Sequence, residues 1–156
     1  MAMPAWLQNI RKKVGHDLLM IPAVTGITQN DAGAVLLQLR SDDGRWVFPG
    51  GAVDPGESPA LAIVREVFEE TGLIVLPTRI VGVYGGGENT RMYPNGDKVA
   101  LVNITFACNA TGGELQVDGD ETAELGYFTP DALPQGFDPR HHAMLEHFLT
   151  STEPYF

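Results

Sequence analysis

Residues 58 to 72 read SPALAIVREVFEETG, and this stretch constrains the chain more than any other. Ser58 is a preferred N-cap, Pro59 suits the first helical position, and Gly72 suits the left-handed residue that ends a helix. The spacing predicts a helix from about Pro59 to Thr71. With Glu66 at zero on the helical wheel, Glu70 falls near 40° and Glu69 near 300°, at about 100° per residue. Ala60, Leu61, Ile63, Val64, Val67 and Phe68 fall between about 60° and 220°, with Arg65 on the flank near 260°. Three carboxylates thus share one arc, opposite much of the apolar face. Like charges at this spacing repel one another, and the helix carries no lysine to offset them. Either the face is solvated or a cation belongs on it.

The loop that enters this helix, PGGAVDPGES, adds Glu57 behind a Gly50–Gly51 pair with little side-chain bulk. A backbone of that kind lets carbonyl groups approach an ion closely. Hard oxygen donors select Mg²⁺ or Mn²⁺, and no cluster of His or Cys in the sequence points to zinc.

Residues 51 to 73, GAVDPGESPALAIVREVFEETGL, resemble the Nudix box of the Nudix hydrolases. Gly51, Glu57, Arg65, Glu66, Val67, Glu69, Glu70, Gly72 and Leu73 fill every fixed position of that pattern. The resemblance implies a mixed β-sheet sandwiched between α-helices, an α/β (α+β) fold, with residues 1–156 as a single domain. It implies hydrolysis of a pyrophosphate bond in a nucleoside diphosphate linked to another moiety, with Mg²⁺ or Mn²⁺ as cofactor. Glu69 and Glu70 are then principal metal ligands, Glu66 a ligand or the general base, and Glu57 a contributor to the metal shell. A carbonyl of the Gly50–Gly51 region completes the site, and Arg65 holds a box carboxylate in place. Such enzymes often take their base from a later loop; in DGDETAEL, residues 118 to 125, Glu121 is placed best for this, with Asp120 and Glu124 as alternatives.

The rest of the chain fits that frame. Residues 4 to 14 read as a short helix, and Ile21 to Thr28 and AVLLQLR (34–40) as strands around an Asn/Asp/Gly turn. RWVF, LIVLPTRIVGVY, the stretch from Lys98 to Cys108, and residues 113–117 and 124–128 read as further strands. DPRHHAMLEHFLT reads as a closing helix. Cys108, the only cysteine, lies in an apolar run and reads as a small core residue. His16, His141, His142 and His147 read as surface or core residues. Selectivity is expected in YGGGENTRMYPNGD, where Tyr84 or Tyr93 could stack a base and Arg91 could meet a phosphate. Tyr84 could equally end a buried strand, and Pro94 to Asp97 could simply make a turn. Trp46 is a candidate for the base pocket or a packed anchor.

A formal charge of −10 argues against nucleic acid as a partner. No run approaches the roughly 20 apolar residues of a membrane-spanning helix, and the N-terminus lacks the order of a secretory signal. These features lead to the expectation of a cytoplasmic protein acting on a nucleotide-type small molecule, away from membranes. A homodimer is open to it, with the N-terminal helix and Trp6 as a candidate interface. Two other readings compete. One is a Nudix-fold module that senses a nucleotide without cleaving it, although such modules typically lose box acids that this chain keeps. The other is an isoprenoid diphosphate isomerase, which needs a reactive cysteine that Cys108 does not resemble.

Overall fold

A computed structural model describes residues 4–93, 95–117 and 119–156. Strand β1 (Leu19–Thr28) divides its interior. Successive strand residues point to opposite faces, so Val24 enters one apolar cluster and Ile27 another. Strand β2 (Val35–Arg40) repeats the division, with Leu36 on the first side and Val35 and Leu37 on the second.

The larger sheet runs β4-β1-β7-β5, with β6 also pairing β7. These strands are β4 (Gly50–Ala52), β5 (Leu73–Tyr84), β6 (Thr90–Met92) and β7 (Lys98–Gly113). β1 and β7 are parallel, and every other pairing in this sheet is antiparallel. A smaller antiparallel sheet has the order β3-β2-β8, where β3 is Trp46–Val47 and β8 is Thr122–Phe128. Pro77 sits on the edge strand β5 where the register with β7 shifts, a place where a missing N–H costs no ladder bond. The chain's end covers part of that edge, since Tyr155 exchanges backbone bonds with Val81 and Val83.

Helix α2 (Pro59–Thr71) starts and stops at the expected residues. Ser58 accepts a bond from the Leu61 amide, and Gly72 is left-handed with its N–H on the Phe68 carbonyl. Ile63 and Val67 pack tightly on β1 because Gly26 carries no side chain. A Cβ there would lie 3.0 to 3.1 Å from those two residues. Helix α3 (Pro139–Thr150) places Met144 and Leu145 in the second cluster. The sheets are thus flanked by helices, as the resemblance implies. Helix α1 (Ala5–Val14) forms a third, smaller cluster through Leu7, Ile21 and Val99.

Some boundaries differ from expectation. β7 runs past Cys108 to Gly113, while residues 114–117 form no strand, because the Gln116 amide turns back to the Thr71 carbonyl at the end of α2. β4 lies inside what reads as a loop. The long polar loop holds a short 3₁₀ turn (Gly87–Asn89) and β6. Pro94 of its expected turn and Asp118 of the acidic loop lie outside the described residues. Cys108 is a buried core residue, and burial pushes its thiol up to about 12.

Candidate active site

The site begins with an exception to the wheel. Glu66 and Glu70 are not on the solvent face of α2: they are buried beside Ile63 and Val67, at 6% and 3% exposure. Glu69 alone of the three is open, while Leu61 and Phe68 face outward. The reason is the neighbouring strand. β4 is an edge strand of two glycines and an alanine, and a Cβ on Gly51 would sit 2.5 Å from the carboxyl atoms of Glu66. Absent side chains on β4 make the space that buried carboxylates need.

Buried carboxylates require hydrogen bonds, and each has them. Glu70 Oε2 accepts from the Gly50 amide at 2.8 Å. Its carboxylate also accepts from Gln38, a buried residue of β2 whose own Oε1 accepts from Thr122 Oγ1 at 2.6 Å. Arg65 ties the rest together. It grips Glu57 with Nε (3.0 Å) and Nη2 (2.8 Å), and donates Nη1 to Glu66 Oε1 (2.8 Å) and Glu69 Oε2 (3.2 Å). Nη2 also reaches the Ala52 carbonyl of β4 at 3.1 Å.

These contacts set the proton affinities. Burial, reinforced by nearby Glu69 and Glu121, pushes Glu66 up to about 7 despite Arg65. Burial, with Glu66 and Glu121 close by, likewise pushes Glu70 up to about 8, against the bonds from Gln38 and Gly50. Glu57 is held low by its hydrogen bonds from Arg65. Glu121, just before β8, is therefore an electrostatic neighbour of both buried glutamates.

Beside β4 opens a cavity of about 410 Å³ floored by β1 and β7. Arg91 and Tyr93 line it; Tyr84 and Trp46 do not. Tyr84 is buried in a cluster of stacked rings with His147 and Tyr155, with its hydroxyl 2.8 Å from His147 Nδ1. Trp46 packs edge-on against Phe128 in the second core cluster. Both are therefore packing residues, and their strands' inward pleat is the reason. Trp6 donates to Asp54 Oδ1 at 2.7 Å within the chain.

Three further arginines reach the cavity that the sequence did not single out, Arg11 from α1, Arg40 from the end of β2 and Arg140 from the start of α3. Arg40 is clasped by Asp42, and Arg140 by Asp138. Among the described residues Arg91 has no such carboxylate, and its Nε is buried without a hydrogen bond. Burial and the charges of Arg140 and Arg40 hold its proton affinity below the usual arginine value. The His141 ring, also lining the cavity, accepts the Phe48 amide at 3.0 Å and stacks on the Phe48 ring.

Among the described residues, no three acidic, His or Cys side chains converge into a ready-made metal cage. The donors nevertheless suit a hard divalent cation by chemistry, being carboxylate oxygens with a glycine-strand backbone beside them. Arg65 and the Gly50 amide presently hold the oxygens that would turn to it.

Residues 20–148 match the family model of the NUDIX domain. A putative 8-oxo-dGTP diphosphatase of Bacillus subtilis is 35% identical over 127 residues, covering 81% of this chain and 78% of that one. An ADP-ribose pyrophosphatase of Methanocaldococcus jannaschii is 33% identical, covering 81% and 72%. Among solved structures, an ADP-ribose pyrophosphatase of Streptococcus suis superposes with a TM-score of 0.69 at 27% identity, over 87% of this chain and 98% of that one. These relatives are named as a diphosphatase and pyrophosphatases, enzymes that hydrolyse phosphoanhydride bonds. The chain belongs to the Nudix hydrolase family.

Proposed function

We propose that this chain hydrolyses the pyrophosphate bond of a nucleoside diphosphate linked to a further group, using Mg²⁺ or Mn²⁺. The supporting observation is that Glu66 and Glu70, with the charge of Glu121 close by, sit against the glycines of β4, and those glycines line a cavity that also presents four arginines. Glu66, Glu69 and Glu70 would hold the cation, with the Gly51 backbone and Glu57 in support. The bound ion would neutralise phosphate charge and acidify water.

Glu66 is the first candidate for the base. Arg65 Nη1 fixes its Oε1, so its second oxygen takes the proton of the attacking water. Glu121 is the second candidate. Arg65 positions Glu57, Glu66 and Glu69 rather than touching substrate. Arg91 and Tyr93 would bind the nucleotide, Arg91 through phosphate and Tyr93 through the base. No helix among the described residues is long and apolar enough to cross a membrane, and the cytoplasm is the proposed location.

The test is a panel of nucleoside triphosphates, oxidised nucleotides, nucleotide sugars and ADP-ribose incubated with Mg²⁺ or Mn²⁺, scored for phosphate or nucleotide release. Metal-dependent release from at least one, lost in Glu66→Gln and Glu70→Gln, is the expected result. Turnover that survives both substitutions would refute the assignment.

A further inference from the structure

The cavity runs along β1 from Gly50 of β4 toward helix α1. At the Thr25 end lie Gly50, which pairs with Thr25, and the bond from its amide to Glu70. Of the four cavity arginines, Arg40 feels the charge of Glu70, and Arg140 and Arg91 feel that of Arg40, while Arg11 comes from helix α1 and Arg91 is paired with Val99. At the Ile21 end lie the apolar Ile21, Val99 and Leu101, closed by Leu7 of helix α1, with the polar Arg11, Asn95 and Asp97 also in the cavity wall. Thr25 and Ile21 are four residues apart on one strand, roughly 13 Å, which is about the reach of one nucleoside from its phosphate.

Helix α1 precedes the matched family region, which begins at residue 20. It is nevertheless fastened to the site at two points. Trp6 is bonded to Asp54 in the loop before Glu57. Arg11 is buried, donates to the Gly15, Asp17 and Lys98 carbonyls, and lies 3.7 Å from Asp97 of the cavity wall. His16 Nδ1, 2.8 Å from the same Asp97, adds a further tie.

We infer that α1 is the end wall of the nucleotide cavity and that Leu7 is a specificity-determining residue, stopping the far edge of a purine-sized base. The inference rests on the proposed nucleotide reading. It names the substrate class as one carrying a single nucleoside on the enzyme, with its phosphates at the Thr25 end beside Gly50 and Glu70. A volume of about 410 Å³ lies near the low end of small-molecule sites, typically about 300–1,000 Å³. That is room for one nucleoside phosphate, with the wall at Leu7 excluding an extended base.

The test uses the full chain and nucleoside 5′-monophosphates, whose binding needs no turnover. AMP, GMP, UMP and CMP are titrated by calorimetry into wild type, Leu7→Trp, Leu7→Ala and the near-isosteric Leu7→Met, each checked for a cooperative melt. Leu7→Trp is expected to weaken the better purine ligand at least tenfold and the pyrimidines less than threefold, with Leu7→Met near wild type. Leu7→Ala is expected to improve binding of the tricyclic 1,N⁶-etheno-AMP at least tenfold relative to AMP, and it decides the matter if Leu7→Trp does not fold. Equal changes for purines and pyrimidines, no change for any ligand, or a wild type that binds none of them would overturn the inference. Failure of the parent reading shows separately, as purine binding that depends on Leu7 with no hydrolysis across the substrate panel.

Discussion

Gly51 and Glu66 occupy the same space: the carboxyl group of Glu66 lies where a side chain on Gly51 would begin, 2.5 Å from its ideal Cβ position. A buried acid on α2 and a bare backbone position on β4 therefore depend on each other. Gly51→Ala should push Glu66 away from Arg65 and the strand. The expected outcome is a loss of about 1–3 kcal/mol in stability from overpacking, with kcat lowered at least tenfold. Denaturant melts and steady-state kinetics on the same preparation check both.

Arg65 holds three carboxylates and the Ala52 carbonyl with one planar group. Lysine cannot reproduce that fork. Arg65→Lys should therefore lower kcat and metal affinity by about 10–100-fold while KM changes little. A proportionate rise in KM with unchanged kcat would show that Arg65 contacts substrate instead.

Tyr84 and Trp46 sit in the core, so they should not affect selectivity. Tyr84→Phe removes the hydroxyl that meets His147 and should cost about 1 kcal/mol. The ratio of kcat/KM between any two substrates should stay constant. Tyr93→Ala, at the cavity wall, should change that ratio severalfold, as paired kinetics will reveal.

His141 gives a pH signature. Burial lowers it to about 3, with Asp138 opposing and Arg140, Arg91 and Arg40 assisting. Its ordinary value is near 6.5, so above pH 6.5 it is neutral in both folded and unfolded chains. As pH falls below 6.5 the unfolded chain takes up a proton that the folded one refuses, and stability is lost progressively toward pH 3. Between pH 6.5 and 5 the loss should be about 1–2 kcal/mol. His141→Gln, which can still accept the Phe48 amide, should flatten that slope. Parallel slopes for the two proteins in urea titrations would contradict it.

The boundaries of α2 were legible because Ser58, Pro59 and Gly72 each encode a local geometry that needs no tertiary contact. Strand β5 was legible for a similar reason, being a long run rich in β-branched residues. β4 was not, since two glycines and an alanine carry no apolar alternation. The burial of Glu66 and Glu70 was equally hidden, because a helical wheel knows nothing of the space left by a neighbouring strand. Arg40, Arg140 and Gln38 reach the site from separate elements, and no spacing within one segment announces such a meeting. Arg91 and Tyr93 were found in the polar loop, while Tyr84, at its start, belongs to the pleat of β5.

The central claim, that the acids of α2 seat a divalent cation for pyrophosphate hydrolysis, is tested most directly by titrating Mn²⁺ into wild type and Glu70→Gln. Calorimetry follows binding, and turnover is measured alongside. Binding should weaken at least tenfold in the variant, and kcat should fall beyond about 10²-fold, the scale on which lost electrostatic groups act. Equal Mn²⁺ affinity and full turnover in Glu70→Gln would contradict the claim.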